Sequence, residues 1–136
     1  MTTQPFERFR PYVLSLLRIV SAFTFALHGL TLEFGLFGGM DQHGAVPAPF
    51  TVLWVAGILE TWGGLLLGLG LFTRPVAFLL CGQMAAAYFT AHAPQGFWPV
   101  LNGGELSVLY CFLFLYFCVA GGGSYSLDAL LAARKH

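Results

Sequence analysis

The chain has 136 residues, 57% of them hydrophobic and 9% charged, with a formal net charge of zero. Soluble domains carry about 25% charged residues, so this composition excludes an ordinary one, and the balanced charge gives no electrostatic footprint for nucleic acid. At about 20 residues per membrane span, the length holds four helices in a single domain, residues 1–136, and little else.

The N-terminal residues are polar and include Arg8 and Arg10. The first apolar run covers about 11–32, interrupted by Arg18 and His28. A secretory signal would have an unbroken apolar core and a soluble domain behind it; Arg18 and three further apolar runs argue against one. Residues 33–48 are rich in Gly and carry Asp41 and His43, which predicts a loop. Pro49 is expected to open the second span, 49–71, because its missing N–H would be unpaired at a helix start. Thr73-Arg74-Pro75 reads as a tight turn with Pro75 opening the third span, 75–92. A second loop, 93–104, contains Phe97 and Trp98, which suit the headgroup boundary. The fourth span, 104–120, ends at Gly121-Gly122-Gly123. Beyond it, Ser126 resembles an N-cap and Asp128 sits in a first turn, which predicts a short interfacial helix with Arg134 and Lys135 toward lipid phosphates. The expected fold is therefore all-α: a polytopic membrane four-helix bundle with a short C-terminal interfacial helix.

Orientation follows from the basic residues. Arg8, Arg10, Arg74, Arg134 and Lys135 fall on one side of a four-span arrangement, and the two opposite loops contain no Lys or Arg. The positive-inside rule then places both termini in the cytoplasm.

The stretch Gly57 to Pro75 organises the rest. At 100° per residue, Gly57, Glu60, Gly64 and Gly68 fall within about 80° of one helix face. Small residues at this spacing admit a neighbouring helix, either within the chain or from a second copy through Gly64 and Gly68. Glu60 thus faces another helix, where an unpartnered acid costs ~2.5–3 kcal/mol. On the first span, Ser15, Arg18, Ser21, Phe25 and His28 share an arc of about 140°, and Arg18 is the expected partner of Glu60. Two readings of that pair stand: a buried ion pair that fixes helix register, or a site in which Glu60 moves protons while Arg18 holds an anionic or carbonyl group. Gln83 is expected to make an interhelical hydrogen bond.

On the loop side, His28, His92, Asn102 and Glu105 are expected at similar height. They could hydrogen-bond a quinone headgroup or simply cap a wet boundary; their spacing gives no metal motif. Cys81, Cys111 and Cys118 contain no C-x-x-C. Cys111 and Cys118 lie some 10 Å apart along a helix, too far to bridge, while Cys81 could approach one of them.

Taken together, Leu17-Arg18-Ile19 with His28-Gly29, Glu60-Thr-Trp-Gly-Gly64 with Gly68-Leu-Gly-Leu-Phe-Thr-Arg74-Pro75, Ala87-Tyr88-Phe89 with His92, and Asn102-Gly103-Gly104-Glu105 resemble the DoxX family of small four-helix bacterial membrane proteins. That resemblance implies an oxidoreductase setting in which members are quinone-linked subunits or assemble with soluble redox enzymes. It carries over Arg18, His28, Glu60, Arg74, His92, Asn102 and Glu105 as site positions. Their place within the spans makes Glu60 and Arg18 the catalytic candidates, His28, His92, Asn102 and Glu105 the candidates for holding a quinone or similar ligand, and Arg74 the mark of the cytoplasmic turn. It brings no dithiol motif and no universal catalytic set. The expected function is a quinone-linked membrane subunit working with redox partners. The alternatives are a non-catalytic scaffold for soluble partners and, third, a small-solute or proton channel.

Overall fold

The computed structural model describes residues 5–135. Its helices are α1 (Arg10–Phe34), α2 (Val52–Leu69), α3 (Thr73–Ala87), α4 (Pro99–Asn102), α5 (Glu105–Ala120) and α6 (Leu127–Ala133). A π-helical turn, Tyr88–His92, and a 3-10 turn, Ala93–Gln95, prolong α3. Three helical stretches are long and apolar enough to cross a membrane: Glu7–Phe34, Val52–Leu69 and Thr73–Gln95. The fourth, α5, is apolar but has 16 residues. At 1.5 Å per residue that is about 24 Å, less than the ~30 Å of a typical hydrocarbon core.

Two expected boundaries move for local reasons. Residues 49–50 are not the start of α2; Phe50 has φ 65°, and Thr51 is the N-cap, its hydroxyl accepting from Trp54 N–H at 3.3 Å. The turn before α3 is Gly70 to Phe72, with Gly70 left-handed at φ 66° closing α2. Thr73-Arg74-Pro75 is the first turn of α3, where Pro75 forfeits only an N–H that would lack an intrahelical partner. Residues 33–34, expected in the first loop, still belong to α1, and residues 35–48 form the loop, with a 3-10 turn at Leu36–Gly38. The Asp41 carboxylate accepts from His43 N–H at 2.8 Å and Ala45 N–H at 3.0 Å, and these bonds hold its pKa below the ordinary value.

The α1–α2 contact sets the frame. A Cβ on Gly29 would lie 2.3 Å from Thr61 N, and one on Gly64 would lie 2.9 Å from Ala26 Cβ and 3.0 Å from Ala22 O. One on Gly57 would meet Leu32 Cβ at 3.0 Å, and Gly68 faces Ala22 Cβ at 3.6 Å. The small-residue face therefore packs on α1 of the same chain. Of the two neighbours the sequence left open for this face, the one within the chain occupies it. Around this seam, Ala22 and Phe25 of α1, Leu67 of α2, Ala77, Leu80 and Met84 of α3, and Phe114 and Phe117 of α5 form one buried core.

The end of the molecule that carries both termini of the described residues 5–135 is closed by α6. Ser126 caps it, its hydroxyl accepting from Ala129 N–H at 3.2 Å and donating to Gly123 O at 2.7 Å. Asp128 N–H donates to Gly70 O at 2.9 Å. Its carboxylate does not merely complement its own helix: it accepts from Phe72 N–H at 2.8 Å and Thr73 N–H at 2.9 Å, so it caps α3. Burial pushes the Asp128 pKa upward, but the bonds from Thr73 and Phe72, with the Arg18 charge, outweigh it and leave the group below its ordinary value.

Two outcomes follow. Gly29→Ala should destabilise the detergent-purified protein by about 1–3 kcal/mol, as overpacking does, because the new methyl meets α2 backbone. Gly82→Ala, where a Cβ meets nothing within 4 Å, should be neutral or stabilising; thermal unfolding of the two variants checks the contrast. For Asp128, a lowered folded-state pKa means stability that is complete above the ordinary value of 3.8 and lost as pH falls through the lower folded value. Asp128→Ala should have a lower Tm at neutral pH and lack this part of the acid dependence, as a pH series of melts would show.

Candidate functional site

Arg18 and Glu60 are not partners. The α1–α2 register pairs Gly29 with Thr61 and Ala26 with Gly64, which puts Glu60 opposite the Gly29 level of α1. Arg18 is some eleven or twelve residues from that level, or about 17 Å at helical rise, rather than one side chain's reach. Sequence reading placed Glu60 and Arg18 near the middles of their spans, and the true offset of the two helices removes that coincidence.

Arg18, 1% exposed, instead donates its hydrogen bonds to main-chain carbonyls. Nε donates to Gly122 O at 3.0 Å, Nη2 to Tyr125 O at 2.7 Å, and Nη1 to Leu67 O at 2.8 Å and to Gly68 O. Leu67 and Gly68 lie in the last turn of α2, where carbonyls lack intrahelical partners and the helix dipole is negative. A guanidinium there completes a helix end, and its fork-shaped donors suit several acceptors at once. Arg74 acts similarly at the surface, donating to Cys118 O at 3.2 Å and Val119 O at 2.5 Å near the end of α5.

Glu60, its side chain 4% exposed, is met by His28 and Gln83. His28 Nδ1 lies 2.5 Å from Glu60 Oε2, and Gln83 Nε2 donates to Oε1 at 2.9 Å. The expected interhelical bond of Gln83 is present, and its partner is the buried acid. Three helices thus converge on one carboxylate. Two polar atoms beside it, Gln83 Oε1 and Thr61 Oγ1, are buried without a hydrogen-bond partner. The His28 imidazole is 65% exposed, and its Nε2 is uncommitted.

The expected outer cluster separates. His28 belongs with Glu60. His92 Nδ1 faces Asn102 O at 3.1 Å, and the Asn102 side chain ties the second loop together, donating to Gly96 O at 2.6 Å and accepting from Gly104 N–H at 2.8 Å. Tyr88 joins it by donating to Phe97 O. The π-helical turn sets Tyr88 and His92 rings 6.4 Å apart and stacked. Glu105 is exposed at the start of α5, where a carboxylate complements the dipole, and it makes no hydrogen bond among the described residues. Sequence reasoning missed the bond from Trp62 Nε1 to Glu33 Oε1 at 3.3 Å, which crosses from α2 to α1. No group of three or more His, Cys, Asp or Glu that could hold a metal occurs among the described residues.

The change of partner alters the chemistry available. An arginine holds its proton at any physiological pH, so an Arg–Glu pair would be fixed. Histidine titrates. One proton shared between His28 and Glu60 leaves the pair net neutral as imidazolium–carboxylate or as imidazole–carboxylic acid, which lowers its cost in an apolar setting. That proton can be passed on through the exposed ring.

An all-helical membrane protein with a buried carboxylate held between three apolar helices is the class that this architecture defines. The chain belongs to the DoxX family, whose model matches residues 13–93. It is 51% identical over 129 residues to a Haemophilus influenzae protein called "Uncharacterized protein", covering 90% of this chain and 92% of that one. It is 26% identical over 120 residues to "Putative oxidoreductase CatD" of Bacillus subtilis, covering 88% and 87% of the two chains. No solved structure matches.

The observed bonding predicts that Arg18 and Glu60 are energetically independent. Arg18→Met should destabilise strongly, by about 1–3 kcal/mol for each carbonyl that finds no new donor. In the double variant with Glu60→Gln, the losses should add to within ~0.5 kcal/mol, as for sites more than 10 Å apart. Chemical denaturation of both single variants and the double variant measures the coupling, and a large coupling would contradict this register.

Proposed function

We propose that the protein is a quinone-linked subunit of a membrane oxidoreductase, in which the His28–Glu60 pair exchanges protons with a quinone that approaches sideways from the bilayer. A single observation carries this reading: a 2.5 Å contact joins a buried carboxylate to an imidazole that is itself 65% exposed on the flank of apolar helices. A quinone headgroup needs a donor for a carbonyl and, once reduced, an acceptor for a hydroxyl. The exposed His28 Nε2 can supply the first as imidazolium and, once its proton has been given up, the second as a neutral imidazole. The quinone brings two-electron redox chemistry; the chain's residues bind, orient and carry the proton between His28 and Glu60. Electrons come from a soluble partner, since the sequence has no haem-attachment motif or nucleotide-binding fingerprint. The name of the Bacillus subtilis relative supports an oxidoreductase setting.

This reading includes a four-pass bundle in a bacterial inner membrane with both termini cytoplasmic, supported by Arg8, Arg10, Arg74, Arg134 and Lys135. The termini-bearing end would then meet the soluble partner. An open depression there, lined by Arg74, Gly121, Gly122, Gly123 and Asp128 among others, favours the scaffold reading as the second choice. The Phe114, Phe117, Leu80 and Met84 core occupies the space between helices, which speaks against a channel.

His28→Ala and Glu60→Gln should each weaken retention of a quinone analogue by about tenfold, the loss of one good hydrogen bond to a charged group. His92→Ala and Glu105→Gln should leave it unchanged. Equilibrium binding in mild detergent measures this, and absence of binding to the native protein would favour the scaffold.

A further inference from the structure

The sequence offers no local dithiol motif, yet folding makes a thiol pair. Cys81 on α3 and Cys111 on α5 place their sulfurs 3.7 Å apart. The two residues are 30 apart in sequence and meet only because α3 and α5 pack along the core that includes Leu80 and Phe114. A disulfide needs its sulfurs at about 2.05 Å, so the thiols are already in contact and close by a further ~1.7 Å. Cys118 cannot compete, because it lies seven residues from Cys111 on the same helix, about 10 Å along its axis.

We propose that Cys81 and Cys111 are a two-electron redox couple whose oxidant is a lipid-soluble quinone arriving at the α3–α5 seam. Both cysteines are partly exposed. Each sits about 12–14 Å from the termini-bearing end of its helix at 1.5 Å per residue. Phe78 and Leu115, one turn away on the same helix faces, are exposed apolar side chains. Thiol exchange depends on access, and this surround bars charged, water-soluble thiols such as glutathione while admitting an apolar ring. In the step, two S–H bonds break and one S–S bond forms. The two electrons and two protons released convert one quinone to one quinol. The couple is a second site: it shares no residue with the His28–Glu60 cluster, so the two can be tested apart.

The test uses the full chain, purified in mild detergent with reductant removed and kept anaerobic. The probe is a short-tailed benzoquinone with a fully substituted ring, which thiols cannot alkylate. The expected result is a fall in intact mass of about 2 Da, loss of two of the three maleimide-reactive thiols, and one equivalent of quinol. Cys118→Ser should react in the same way, whereas Cys81→Ser and Cys111→Ser should not react and should still bind a quinone analogue. His28→Ala should keep its thiol chemistry. Diamide provides a second oxidant. A Cys81–Cys111 bridge formed by diamide but not by the quinone would overturn the proposed oxidant. Failure of both, or a bridge involving Cys118, would overturn the couple itself. Either result would leave the reading of His28 and Glu60 untouched.

Discussion

The rest of the structure depends on a positive charge held away from water without a carboxylate beside it. Arg18 spreads its donors over carbonyls of Leu67, Gly68, Gly122 and Tyr125, so one side chain on α1 ties down the end of α2 and the glycine-rich segment after α5. These carbonyls carry only partial charges, but the α2 terminus aligns them. Asp128 adds a full negative charge within electrostatic reach of the guanidinium. The same aspartate caps α3, so the capping of two helices and the docking of α6 are linked at one end of the molecule. Gly70 and Gly122 permit this crowding: a Cβ on Gly70 would lie 3.0 Å from the Arg18 Cζ and 2.4 Å from Ser126 Cβ.

Because Arg18 is committed there, Glu60 is left to a weaker and more versatile partner. The glycines that bring α1 against α2 also bring His28 to the acid, and Gln83 completes the contact from α3. An acid bonded at both oxygens is affordable in an apolar interior. An acid whose partner is an exposed imidazole is also connected to the outside. The Arg18 charge and the His28–Glu60 pair thus occupy different parts of one helix pair, each supported by the same close packing.

Tertiary structure also explains why a set of chemically similar residues divides. His92 and Asn102 lie on either side of the second loop and hold it to the π-helical turn after α3. Their bonds are largely with main-chain atoms, as expected for side chains that shape a connection. His28, by contrast, has a side-chain partner and a free nitrogen. Residue type did not distinguish the two histidines; their neighbours did.

Much was legible in the chain. Hydropathy and the Gly, Pro and Arg-Pro punctuation placed the helices to within a few residues, because apolar runs and breakers act locally. The Gly57, Glu60, Gly64, Gly68 face was readable as a packing surface, since side-chain direction follows from helical period alone. The family was legible too, from motifs spread along the sequence. What the sequence could not fix was the axial offset of α1 against α2. That offset is set by which small residues interlock, Gly29 on Thr61 and Gly64 on Ala22 and Ala26, and it decided that Glu60 meets His28 and not Arg18. It could not show that Asp128 caps a helix 55 residues earlier, or that Cys81 touches Cys111. Period and composition define what each helix offers on each face. Only packing, through steric fit between distant segments, decides which offered groups meet.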